Sequence, residues 1–198
     1  MHFISYYTKN YEEIMNSYLL PSLVGLELPY CIEEIKDLGS WKKNTDFKPV
    51  FIKQCLEKLN DDVVFTDADS IIHKHPSLFW IIQQEGYDLA YHLLWWKEHY
   101  SWHTNSNRRE VLSGTLFLRN NDRIKRLIDK WIELTKSYCW EQQALAEAIK
   151  QMPNLKIYEL PRSYTYINST PRGEPLNPLP KEQIVIEHFQ CGREMKRK

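Results

Sequence analysis

Residues 63 to 79 read VVFTDADSIIHKHPSLF, an apolar run that ends in Asp67 and Asp69, one residue apart. Two carboxylates so close repel each other unless a cation sits between them, and a hard divalent metal is the usual solution. The plainer alternative is that Asp69 caps the turn that follows while Asp67 is solvated. Other chemistries have little footing. Neither G-x-x-x-x-G-K-[ST] nor G-x-G-x-x-G occurs. Cys31, Cys55, Cys139 and Cys191 are scattered without a C-x-x-C pair, which predicts reduced thiols rather than a zinc knuckle or a redox dithiol.

The elements that must position the aspartates follow from hydrophobic patterning. HFISYYT (2–8) is a β-rich run, and Asn10 with Glu13 offers a capping pair for a helix that Pro21 should end. LELPYCIEEI predicts a second strand, and KDLGSWKKNTD (36–46) a loop. In KPVFIKQCLEKLN (48–60), a proline in the first turn and apolar residues at helical spacing predict a helix just before the aspartate strand. HPSLFWIIQQEG predicts a short helix stopped by Gly86, and YDLAYHLL another strand. Residues 95–110, rich in aromatics and without a clean period, read as a long loop. VLSGTLFLR follows as a strand, then an amphipathic helix with Ile124, Leu127, Ile128, Trp131 and Leu134 on one face. WEQQALAEAIKQM predicts one more helix, and short strands are expected at 155–160, 164–168 and 184–189.

Strands alternating with helices predict an α/β fold, a mainly parallel central sheet flanked by helices, with ligands at the carboxyl ends of the strands. Asp67 and Asp69 leave the sheet at such an end. At 198 residues with 42% hydrophobic content, the chain is expected to form a single domain over 1–198. Its 26 basic and 26 acidic residues balance, so binding to nucleic acid is not indicated, although the tail REMKRK is locally basic. The N-terminus lacks a targeting pattern and no apolar run approaches the roughly 20 residues of a membrane span, which predicts a soluble, cytoplasmic protein.

VVFTDADSII, preceded by a helix that opens KP, resembles the metal-binding region of GT-A fold glycosyltransferases, and more closely the glycogenin and lipopolysaccharide galactosyltransferase-like group of nucleotide-diphospho-sugar transferases. LSGTLFLRNN is similar to that family's N-S-G-x-x-x-x-x-x-N strand, WEQQAL to its D-Q-x-x-L helix start, and IVIEHFQCGREMK to its closing H-x-x-G-x-x-K. The resemblance implies transfer of a sugar from a nucleotide-sugar donor, a UDP-sugar, to an unidentified acceptor, leaning toward retention of the anomeric configuration. It implies Mn²⁺ (or Mg²⁺) held by Asp67, Asp69 and His188. It also implies a nucleotide site at Tyr6, Tyr7 and Thr8, with Ser113 and Gly114 lining the donor sugar, and Glu141 and Gln142 facing the anomeric carbon. Lys48 either reaches the donor or is a solvated residue ahead of Pro49. Arg193 and Lys196 are candidates for the diphosphate, although the glycine and the lysine after His188 are spaced more widely than in the family pattern. Glu141 stands where the family has an aspartate. Trp95, Trp96, Tyr100, Trp102 and His103 form either an acceptor platform or a packed flap.

Two rivals remain at this point. A haloacid-dehalogenase-like phosphatase also ends an apolar strand in D-x-D, but it needs further paired acids downstream, and Asp88, Asp122 and Asp129 stand alone. A non-catalytic nucleotide-sugar-binding protein would keep the fold without the reaction.

Overall fold

Residues 1–99, 105–168 and 178–191 are described in the computed structural model. The order is β1 (His2–Thr8), α1 (Glu12–Ser17), α2 (Leu19–Gly25), β2 (Tyr30–Ile35), α3 (Trp41–Asp46), α4 (Lys48–Leu59), β3 (Val63–Thr66), β4 (Ser70–Ile72), α5 (Leu78–Gln84), β5 (Leu89–Trp95), α6 (Trp96–His99), β6 (Arg109–Leu118), α7 (Asp122–Thr135), α8 (Glu141–Lys150), β7 (Ile157–Glu159), β8 (Tyr166–Ile167) and β9 (Ile186–His188). Six strands form the central sheet in the order β2-β1-β3-β6-β5-β7, and β4-β9-β8 form a small second sheet.

β3 lies inside the central sheet, and all four of its residues are buried. Successive side chains therefore feed opposite layers. Val63 and Phe65 join Ile4, Leu116 and the apolar stripe of α7 on one side, together with α4 and α8. Val64 joins Phe3 and Phe117 on the other side, under α2 and α5. Local chemistry sets the helix ends. The Asn121 side chain accepts from the Ile124 N–H at the start of α7. Asn60, left-handed at φ +48°, closes α4 immediately before the aspartate strand.

The expected strands all form, and the parallel character holds for β1 with β2, β1 with β3, and β5 with β7. β6 runs antiparallel to both of its neighbours. Its early residues therefore reach the same edge of the sheet as the carboxyl end of β3.

Four local expectations are corrected. Residues 36–46 are not all loop, because Ser40 accepts from the Lys43 N–H and caps α3. Pro21 does not end a helix but sits in the first turn of α2, where its missing N–H costs nothing. Asn10 lies in a 3-10 turn preceding α1, and no side-chain cap forms there. In the 95–110 segment, residues 96–99 are helical and β6 already begins at Arg109.

Candidate active site

The edge where β1 and β3 end opens into a cleft of about 440 Å³. β3 delivers Asp67 to it, and the β3–β6 ladder continues one residue further, with the Asp67 N–H donating to the Gly114 carbonyl at 2.9 Å. The turn is closed by Ser70, whose hydroxyl donates to the Asp67 carbonyl at 2.8 Å. Ser70 then pairs with His188 across β4 and β9. That register brings a residue from near the end of the chain beside the two aspartates. The backbone locks it there, with Phe189 N–H on the Asp69 carbonyl (3.0 Å) and Cys191 N–H on Asp69 Oδ2 (2.8 Å).

Asp67, Asp69 and His188 each offer one ligand atom, all within 4.8 Å of one another. The imidazole is 3% exposed. Its Nε2 lies 2.8 Å from the Thr115 hydroxyl, while its Nδ1 has no hydrogen-bond partner among the described residues. Thr115 can accept from an Nε2–H, which leaves the Nδ1 lone pair directed at a ligand. Gly114 clears the space, because a Cβ there would stand 3.0 Å from Asp67 Oδ2 and 3.3 Å from His188 Nδ1. Burial lowers the His188 pKa and favours the neutral ring. Burial and the neighbouring Asp67 push the Asp69 carboxyl up to about 6, against the pull of the Cys191 N–H. A buried neutral imidazole with an orphaned nitrogen, beside two crowded carboxylates, fits a divalent cation.

Lys48 is not a solvated residue. Buried at the start of α4, its ammonium lies 3.1 Å from Asp67 Oδ1 and 2.8 Å from Glu141 Oε1, and it donates to the Ser113 carbonyl at 3.1 Å. The Ser113 hydroxyl in turn donates to Glu141 Oε1 at 2.7 Å. Burial disfavours the Lys48 charge, but Asp67 and Glu141 outweigh it and hold the amine protonated above the usual lysine range. Glu141 is anchored from behind, where Trp131 Nε1 donates to its carbonyl at 2.7 Å. Gln142, one step along α8, gives its amide N–H to Glu110.

Tyr6, Tyr7 and Thr8 all border the cleft. Tyr6 is committed elsewhere, because its hydroxyl donates to the Asn44 carbonyl at 2.7 Å and its ring packs among Phe47, Phe51 and Phe65. Burial raises its pKa accordingly. Tyr11 borders the same cleft, and sequence reading overlooked it. The signal was faint: TKNY looks like the polar start of a helix. Arg108 and Glu110 were likewise hidden in a segment without a period. Arg193 and Lys196 lie outside the described residues, as do Tyr100, Trp102 and His103. Trp95 and Trp96 are described, and neither lines the cleft.

The fold and this arrangement define a glycosyltransferase of the GT-A type. Residues 40–198 match the family model described as nucleotide-diphospho-sugar transferase, and the chain belongs to that family. Among solved structures it is similar to a glycosyltransferase involved in glycosylating the major capsid of the virus PBCV-1, at 13% identity and TM-score 0.68, covering 98% of this chain and 97% of that one. It also resembles mouse xyloside xylosyltransferase 1, at 13% identity and TM-score 0.60 over 96% and 98% of the two chains. The galactosyltransferase LgtC follows at 10% identity and TM-score 0.57 over 96% and 87%. No curated protein sequence matches the chain. The phosphatase alternative is set aside by family and fold. Among the described residues, no helix is long and apolar enough to cross a membrane.

Proposed function

We propose that residues 1–198 act as one catalytic domain that moves a sugar from a UDP-sugar to an acceptor with the help of a divalent metal, Mn²⁺ in preference to Mg²⁺. The observation that carries this reading is the buried Nδ1 of His188, without a hydrogen-bond partner among the described residues, converging with Asp67 and Asp69. One nitrogen among carboxylate oxygens suits Mn²⁺ better than the harder Mg²⁺. A metal held there would neutralise charge on the departing diphosphate.

The protein's own residues supply the rest. With Tyr6 engaged in packing, Tyr7 and Tyr11 are left to stack on the base, and Thr8 bonds to its edge. So short a pocket suits a single-ring uracil. Lys48 ties Asp67 to Glu141, so the metal-side carboxylate and the sugar-side carboxylate keep a fixed spacing. Ser113 and Gly114 line the donor sugar, and Arg193 and Lys196 meet the diphosphate.

Gln142 supports the ring as positive charge builds on it. Its N–H is held by Glu110, an acceptor-only group, so its carbonyl oxygen is the end available to the sugar. Retention is supported by the state of the cleft carboxylates. Glu141 Oε1 already receives Lys48 and Ser113, and Glu110 receives Gln142 and Trp96, so neither is poised as the general base that inversion requires.

The test is hydrolysis of UDP-sugars. It should vanish in EDTA, return with Mn²⁺, and fall by at least about a hundredfold in Asp69→Asn with the fold intact. Full activity in EDTA would overturn the reading.

A further inference from the structure

Where β5 leaves the central sheet and β6 enters it, three cations lie over two indoles. Trp95 carries the Lys97 ammonium at 4.5 Å and the Arg109 guanidinium at 3.9 Å over its ring, and Trp96 carries the Arg108 guanidinium at 3.8 Å. Among the described residues none of the three cations has an acidic side chain at ion-pair distance. Of the three, Arg108 is the one that borders the cleft. Its backbone is held on both sides, the N–H donating to the Ser106 hydroxyl at 3.2 Å and the carbonyl accepting from the Trp96 N–H at 3.1 Å.

Glu110, which borders the cleft beside it, is spent on other donors. Its Oε2 takes the Trp96 Nε1–H at 2.7 Å and its Oε1 takes the Gln142 amide. One indole therefore holds Glu110 at its edge and Arg108 over its face, and the two charges do not pair. At 3.8 Å the guanidinium is at stacking distance, and a stacked guanidinium keeps its in-plane N–H groups for a pair of oxygens.

Position along the strand says which part of a substrate this cation meets. Gly114, Leu112, Glu110 and Arg108 all border the cleft, as alternate residues of one extended run that begins a residue ahead of β6. Gly114 stands against Asp67 and His188, and Glu110 holds Gln142, the residue proposed to face the donor ring. Arg108 lies two residues beyond Glu110, roughly 7 Å of extended chain, on the side away from the proposed metal. A donor diphosphate belongs at the metal, which leaves the acceptor as the partner for this guanidinium.

We propose that Arg108 receives an anionic group on the acceptor, a carboxylate or a phosphate, and so selects charged sugars over neutral ones. Two parallel N–H···O bonds from the guanidinium would fix the orientation of the acceptor as well as recognise its charge. Arg109 and Lys97, at the same edge, add to the positive potential that draws such an acceptor in. The assignment rests on the proposed UDP-sugar transferase reading for its meaning, but the preference for an anion can be measured apart from it.

The experiment uses the full chain with Mn²⁺ and UDP, and three probes: methyl glucuronide, glucose 6-phosphate and methyl glucoside, which present a carboxylate, a phosphate and a neutral ring. Saturation-transfer NMR titrations should show at least one anion binding at least about tenfold more tightly than methyl glucoside, and the tighter of the two anions identifies the source of the charge. Arg108→Gln should abolish the preference, Arg108→Lys should keep part of it, and both should leave UDP affinity within about twofold of wild type. The inference is overturned if neither anion binds more tightly than methyl glucoside, if the preference survives Arg108→Gln, which would put the anion at the metal, or if UDP affinity falls in step with it, which would put Arg108 on the donor. If UDP itself does not bind the wild type, the transferase reading fails on its own account, while the effect of Arg108→Gln on the anion preference still decides the anion site.

Discussion

At the residue scale, the site depends on what is missing as much as on what is present. Gly114 leaves a gap between Asp67 and His188 that a single methyl would close, with contacts of 3.0 Å to Asp67 Oδ2 and 3.1 Å to His188 Cε1. Gly114→Ala should therefore push apart the two side chains proposed to share the metal while the sheet, held by its backbone ladder, persists. Thr115→Val removes the group that orients the imidazole from its far side. Both variants should lose about 10- to 100-fold in Mn²⁺ affinity by calorimetry, with melting temperatures close to wild type. Unchanged Mn²⁺ affinity in both would dissociate His188 from the metal. The spacing of the aspartates was compatible with a cation or with a turn cap beside a solvated carboxylate, and it was the resemblance of VVFTDADSII that favoured the metal. His188 was legible only through the resemblance of its segment, because a single histidine has no spacing to read. The buried state of Lys48 was hidden, because nothing local announces an ammonium sealed between Asp67 and Glu141.

At the element scale, one buried carboxylate away from the cleft ties three elements together. Asp88, at the entry to β5, receives the Asn121 amide at 2.7 Å and the Arg123 guanidinium at 2.8 Å at the start of α7, and the Lys156 N–H at 2.9 Å ahead of β7. Burial alone would raise the Asp88 pKa, but the Lys156, Arg123 and Asn121 hydrogen bonds outweigh it and hold the carboxyl below its usual range. Because the folded pKa is depressed, the stability this network contributes is complete above the unfolded value of about 3.9 and drains away as pH falls through the lower folded value. Asp88→Ala should cost about 3 kcal/mol, the half-exposed Arg123 contributing the smaller share. Urea denaturation between about pH 6 and about pH 3 should show the loss concentrated at the acid end in wild type and flattened in the variant. Long, periodic elements such as α4 and α7 were plain in the sequence because their apolar stripes repeat. β8 and β9 fall within the strands expected at 164–168 and 184–189, but β4, of three residues, is too short to carry a period, so its pairing with β9 in the small sheet that seats His188 could not be read.

At the scale of the whole molecule, ligands should act as mortar between distant parts of the chain. Mn²⁺ with UDP at about a hundred times the dissociation constant should stabilise the fold by about 2.7 kcal/mol and raise the melting temperature, an effect that EDTA should reverse. Absence of any shift would mean that the cleft does not bind them. The layered α/β plan was readable from alternating elements, whereas the reversed direction of β6 was not, because strand direction is set by the path of the connections. The pairing of β4 with β9 has a kinetic side as well. Asp69 and Cys191 are joined across 122 residues, while β1 and β3 are joined around a much shorter path. Closing so long a loop costs entropy that only the assembled core can offset, so this pairing belongs late in folding. Refolding chains should then pass through a stage in which Val64 and Leu116 are already protected from hydrogen exchange and His188 is not. In that interval the protein would have its core but not the proposed metal site, so the proposed activity should arrive as the final event of folding rather than growing in proportion to it.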